Sequence, residues 1–103
     1  MTPDLNSPRP QRVPAVDVWQ ADDGFAVVAD VPGATAESVK LSAERGTLVL
    51  YAEAARATYK RSFQLPDGVD PDAITAKLDR GQLEIFLPRV PSVRSRQIRV
   101  VSA

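Results

Sequence analysis

The side chains of this sequence that could do covalent chemistry are few, and their spacing favours turns over catalysis. Its 103 residues include no histidine and no cysteine. The commonest general base, the commonest metal ligand, the reactive thiol and any disulfide framework are therefore all absent. Carboxylates and hydroxyls remain. The closest carboxylate pairs are Asp22-Asp23 and Asp70-x-Asp72, beside Gly24 and Pro71. In that company Asp serves a turn by bonding to its own backbone. Asp70-x-Asp72 also lacks the further oxygen ligands and the spacing of a calcium loop. Ser38, Ser42 and Ser62 have no histidine to activate them. Neither the glycine-rich dinucleotide fingerprint nor a phosphate-binding loop is present. The expectation is a protein that is not an enzyme and that holds no metal and no cofactor.

If surfaces rather than reactive groups carry the function, charge is the next guide. The 13 basic and 13 acidic residues cancel, which argues against a dedicated partner among nucleic acids or anionic membranes. The charges are unevenly placed. Asp17, Asp22, Asp23 and Asp30 lie early, whereas Arg89, Arg94, Arg96 and Arg99 occupy the last stretch with no acid among them. Such a run reads as a solvated tail, or more sharply as a tail that docks on an acidic surface. No basic segment followed by an apolar core marks a signal peptide, and no apolar run approaches the ~20 residues of a membrane helix. A cytoplasmic location is expected.

The elements that must build any surface are strands. Residues 74–88 read ITAKLDRGQLEIFLP. Ile74, Ala76 and Leu78 alternate with polar residues, as do Leu83, Ile85 and Leu87, and period-2 alternation buries one face of a strand. Asp79-Arg80-Gly81 between them supplies a tight turn, and Pro88 ends the second strand. Further strands are expected over residues 15–20, 25–31, 39–43, 47–51 and 59–65. They are separated by Asp22-Asp23-Gly24, Pro32-Gly33, Glu44-Arg45-Gly46 and Pro66-Asp67-Gly68. Thr35 could cap a single helical turn. Residues 1–14 carry Pro3, Pro8, Pro10 and Pro14 among polar residues and read as a flexible arm, or else as a short recognition segment. About seven short strands without a helical period mean an all-β fold, an antiparallel sandwich or small barrel, in one domain. The domain is expected over residues 15–90, with a C-terminal extension over residues 91–103.

In order along the chain, several of these pieces resemble the α-crystallin domain of small heat-shock proteins. They are Val16-Asp17-Val18, Asp23-Gly24-Phe25, Ala29-Asp30-Val31-Pro32-Gly33, Gly46-Thr47-Leu48 and Arg61-Ser62-Phe63-Gln64-Leu65-Pro66. Ile74-Thr75-Ala76 with Gly81-Gln82-Leu83 follows, looking like the family's A-x-x-x-x-G-x-L signature. The match spans residues 15–88. It implies an immunoglobulin-like antiparallel β-sandwich of seven to eight short strands. It further implies an ATP-independent chaperone, a holdase that binds unfolding client proteins and associates with itself as a homodimer or small oligomer. In the family a groove accepts an Ile-x-Ile/Val segment from a neighbour's tail. Here the matching tail is Ile98-Arg99-Val100, and the groove would be lined by Val39, Leu41 and Ala43 on one side and Ile74, Ala76 and Leu78 on the other. Arg61 stands where the family has an arginine at a dimer or sheet surface, so it is an interface candidate beside the plainer reading of a strand arginine.

Residue geometry supports the tail reading on its own terms. Ile98 and Val100, two apart on an extended segment, point to the same side while Arg99 points away. Docking on a neighbour, packing on the chain's own domain and disorder all remain open for this tail. Pro91 and the Ser/Arg-rich link favour a tether. Two departures from the family matter. Bacterial and plant members exchange an extra strand between the strands placed here at residues 47–51 and 59–65, and the link between those strands is too short for one. The N-terminal arm is also short, which argues against large assemblies. The alternative class is a CS-domain-like co-chaperone or adaptor module that binds one folded partner. Trp19, Phe25, Phe63 and Phe86 are the aromatic candidates for client contact, with Trp19 and Phe86 the more open pair.

Overall fold

The computed structural model describes residues 9–90 and 100–102. Eight strands form two four-stranded sheets. They are β1 (Gln11–Arg12), β2 (Val16–Ala21), β3 (Gly24–Asp30), β4 (Val39–Glu44), β5 (Thr47–Glu53), β6 (Thr58–Gln64), β7 (Thr75–Asp79) and β8 (Gln82–Pro88). One sheet runs β1-β6-β5-β4 and the other β2-β3-β8-β7. All pairs are antiparallel except β1 with β6. The fold is the expected all-β sandwich, and each expected strand lies within a residue or two of an observed one.

Alternation places the core as read. Val27, Ala29, Leu83, Ile85 and Leu87 from one sheet meet Leu48, Leu50, Ala52 and Tyr59 from the other, all buried. Burying a side chain such as Leu50 or Ile85 contributes about 1.5–3 kcal/mol. No polar or charged residue is buried among the described residues. Tyr59 is the amphipathic member, and its hydroxyl donates to the carbonyl of Pro32 at 3.1 Å. The phenol therefore closes the core without leaving an unpaired polar atom.

The turns follow residue chemistry. Arg80 and Gly81 both have positive φ (51° and 78°), the backbone hand that a two-residue hairpin needs. Pro32 and Gly33 make the bend after β3, with Gly33 at φ 86° and Ala34 N–H donating to the Val31 carbonyl. In the one-turn 3₁₀ segment Ala36–Ser38, the Ser38 hydroxyl makes the side-chain bonds, both of them to the backbone of Thr35. Asp70 accepts from the Asp72 N–H, a local turn bond in line with the reading that these carboxylates serve the backbone.

Two features differ from expectation. The arm was expected to be free through residue 14. Instead, β1 pairs with Thr58 and Tyr59 of β6, Thr58 N–H donates to the Pro10 carbonyl, and Arg9 donates to the Ala54 carbonyl at 2.7 Å. Two-residue pairing of polar side chains leaves no periodic trace to read. The face of β7 was expected to be buried, yet Ile74 and Leu78 are half-buried and Ala76 is exposed. β7 is an edge strand, and its inner face looks into a hollow shared with β4 of the opposite sheet instead of into close-packed core.

Candidate functional site

β4 and β7 are edge strands of opposite sheets, and the apolar rows on their inner faces line the open side of the sandwich. Val39, Leu41 and Ala43 stand opposite Ala52, Leu50 and Leu48 of β5. Ala76 and Leu78 stand opposite Ile85 and Leu83 of β8. Ala36, Val39, Leu41, Ala76, Leu78 and Leu83 enclose one hollow of about 250 Å³. Leu41, Ser42, Ala43, Leu48, Pro71 and Ile74 enclose a second of about 150 Å³. Leu41 is a wall of both, so the hollows adjoin. Val39, Ala76 and Leu78 line the first, Ala43 and Ile74 line the second, and each of the six groove residues expected from the sequence thus borders a hollow. Each hollow is smaller than the roughly 300–1,000 Å³ of a small-molecule pocket, which suits single aliphatic side chains from an extended segment.

The groove continues further than the sequence reading placed it. A hollow of about 310 Å³ shares Ala43 and Pro71 with the second one and is lined by Arg45, Leu65, Asp67 and Val69 among others. Those residues come from turns, whose spacing carries no periodicity that could have pointed to them.

On the tail, Ile98 lies outside the described residues. Val100 and Val101 are 89% and 79% exposed. Packing of that part of the tail on the chain's own domain is therefore not what the structure contains. Arg61 is half-buried, donates to the carbonyl of Pro14 at 3.1 Å and lies 5.3 Å from the Phe63 ring centroid. The contacts observed for it are internal.

A second apolar surface covers the outer face of the β2-β3-β8-β7 sheet. Trp19, Ala26, Phe86 and Thr75 stand in one row across its four strands. With Val28, Lys77 and Glu84 they line a hollow of about 410 Å³. Trp19 is 51% exposed and Phe86 half-buried. Phe25 and Phe63 instead pack against the core from its margin. Phe25 also carries the Arg89 guanidinium over its ring at 5.1 Å. Among the described residues no cluster of three or more metal-ligating side chains occurs. No described helix is long and apolar enough to cross a membrane.

Comparison with known proteins decides the family. The model of the Hsp20/alpha crystallin family matches residues 17–102. The chain belongs to the Hsp20/alpha crystallin family. This family comprises the small heat-shock chaperones, so the match favours the chaperone side of the sequence reading over a CS-type adaptor. Among curated relatives, Spore protein SP21 of Stigmatella aurantiaca is 32% identical over 91% of this chain and 65% of its own length. The 18 kDa antigen 2 of Mycobacterium avium is 30% identical over 93% of this chain and 79% of its own. Among solved structures, a small heat-shock protein from Xylella fastidiosa superposes with a TM-score of 0.73 at 29% identity, covering 89% of this chain and 99% of the other. The hspA of Xanthomonas axonopodis gives 0.71 at 30% identity, covering 79% and 97%.

Proposed function

We propose that this small heat-shock protein is an ATP-independent holdase that captures extended apolar segments of unfolding proteins, and that the β4/β7 groove is where its own tail competes for access. The observation that carries the reading is the pair of adjoining hollows that share Leu41. Two apolar pockets side by side suit residues two apart on an extended strand, because such residues point the same way. Ile98 and Val100 have that spacing, and Arg99 between them would face water. The exposure of Val100 supports a tail that reaches for a neighbouring subunit instead of its own groove. Self-association through the tail follows as part of the proposal, and the relative from Xylella fastidiosa has a distinct high order structure.

Client capture would use apolar surface with a polar rim, for which the groove and the Trp19/Phe86 face are the two described candidates. The balanced charge supports protein partners over nucleic acid or anionic lipid, and the cytoplasm is the proposed compartment. The direct test heats a thermolabile client with this protein and without nucleotide while light scattering is followed. Suppressed aggregation near stoichiometric ratio is the expected outcome. Unchanged scattering from a folded sample would refute the holdase reading.

A further inference from the structure

We propose that β2 is the seam of a symmetric dimer, in which it pairs antiparallel with β2 of a second copy of this chain, centred on Val18. β2 bonds to β3 on one side, and no described strand lies on the other. The backbone shows which groups that open side presents. Asp30 N–H donates to the Ala15 carbonyl at 3.0 Å, which makes Ala15 and Asp30 a hydrogen-bonded pair. Bonded and non-bonded pairs alternate along an antiparallel ladder. Asp17, Trp19 and Ala21 therefore turn their N–H and C=O groups toward β3, and Val16, Val18 and Gln20 turn theirs outward.

Apart from the single charge of Asp17, this edge also lacks the features that keep an edge from pairing. Exposed edges are normally blunted by Lys, Pro, bulges or a covering segment. β4 carries Lys40, β7 carries Lys77, and β6 carries Lys60 and is partly covered by β1. β2 reads VDVWQA, with no Lys, Arg, Pro or Gly. It nevertheless leaves Val18 56% and Trp19 51% exposed.

The outward groups are symmetric about Val18, which argues for a second copy as the occupant. With Val18 on the dyad, Val18 meets Val18 of the partner subunit, Val16 meets Gln20 of the partner subunit, and every outward N–H and C=O of the strand is matched. On the outer face Trp19 lies beside Asp17 of the partner subunit. Neighbouring registers are worse. Centring on Asp17 sets like charges directly opposite each other. Centring on Val16 runs Val18 against the partner's Pro14, which has no N–H to give. Centring on Trp19 pushes Val16 out to the turn at Asp22. The chain itself offers no other described strand for this edge. β5 ends at Glu53 and β6 begins at Thr58, and the link between them is closed by the Ala54 N–H bond to the Ala57 carbonyl.

The inference stands apart from the holdase reading and is tested without a client. The chain has no cysteine, so one introduced thiol is unique. Full-length Val18→Cys is treated with a short bis-maleimide, alongside Lys40→Cys on the β4 edge. Val18→Cys should cross-link to a dimer at least ~10-fold faster, because pairing raises the local thiol concentration. The sole tryptophan, Trp19, should shift its emission to the blue as protein concentration rises. Val18→Pro, which removes an N–H with no partner inside the subunit, should be monomeric by light scattering with its β-sheet dichroism intact. Equal cross-linking at the two positions, or a dimer that survives in folded Val18→Pro, overturns the proposal. Association through the tail alone would give that second result. If Val18→Pro fails to fold, the cross-linking comparison decides by itself.

Discussion

The guanidinium of Arg61 in β6 donates to the carbonyl of Pro14, 3.1 Å away, on the segment that leads from β1 in one sheet to β2 in the other. A single strand arginine thereby fastens the crossover between the two layers. Its stacking on Phe63 fixes the side chain that makes the bond. We expect Arg61→Ala to lower stability by about 1.5–3 kcal/mol, the range for a hydrogen bond to a charged group. Arg61→Lys should recover only part of it, because an ammonium lacks the planar fork. Denaturant titration gives the size. Limited proteolysis should show faster cutting around residues 9–15 in both variants if the crossover is what the arginine holds.

Leu41 is the shared wall of the two groove hollows, and its side chain is half-buried. A peptide of residues 92–103 should bind the full-length Leu41→Ser variant at least ~10-fold more weakly than the unsubstituted chain, since about 1.4 kcal/mol of lost apolar contact is a factor of ten. In the same peptide, Val100→Ala should cost about 1.5 kcal/mol for two methylene equivalents and Arg99→Ala much less. Fluorescence anisotropy of the labelled peptide reads all three. Equal losses for Val100 and Arg99 would contradict the facing assigned to the tail.

Two glycines at hairpin turns should respond differently to alanine. A Cβ on Gly24 would meet the backbone carbonyl of Leu87 in the paired strand. Backbone cannot step aside as a flexible side chain can, so Gly24→Ala should cost ~2–3 kcal/mol or more. Gly46 has φ 78° with no other atom near its missing Cβ. Gly46→Ala should incur only the left-handed backbone cost of roughly 1–2 kcal/mol. Urea midpoints at constant slope separate the two.

Tyr59→Phe removes the hydroxyl that satisfies the Pro32 carbonyl while keeping the ring in the core. The expected loss is about 1 kcal/mol. Leu50→Ala, at a fully buried site, should cost about 2–5 kcal/mol through the cavity it leaves. Thermal unfolding of the pair should keep that order.

Legibility in the sequence follows the distance over which the physics acts. The β7–β8 hairpin is readable because alternation and a two-residue turn with positive φ are both local. Pro32-Gly33 is readable for the same reason. Ala76 can be assigned to a face, but its exposure depends on β7 being an edge, which only the assembled sheet decides. The docking of residues 9–14 is illegible, since it rests on backbone pairing and on Arg9 and Arg61 reaching carbonyls 45 and 47 positions away. The third hollow beside Ala43 escapes a sequence reading because turns, and no strand interior, supply most of its lining. Gly24 reads as turn chemistry. Its glycine instead answers the close approach of β8.

The central pair of the second sheet joins β3 to β8, from Gly24 against Pro88 through Asp30 against Gln82. Hairpins β2–β3, β4–β5, β5–β6 and β7–β8 each close between neighbours in sequence, but this one contact spans most of the domain. Loop closure of that length is costly before the contact forms, so it comes late in folding. During synthesis on the ribosome β3 therefore waits, half-paired, until β8 has left the exit tunnel. For that interval the nascent chain leaves the backbone edge of β3 that faces β8 without its partner strand. An unpaired strand edge is the kind of surface on which chains associate, so a protein of a chaperone family would carry, before β8 emerges, the same hazard that holding guards against.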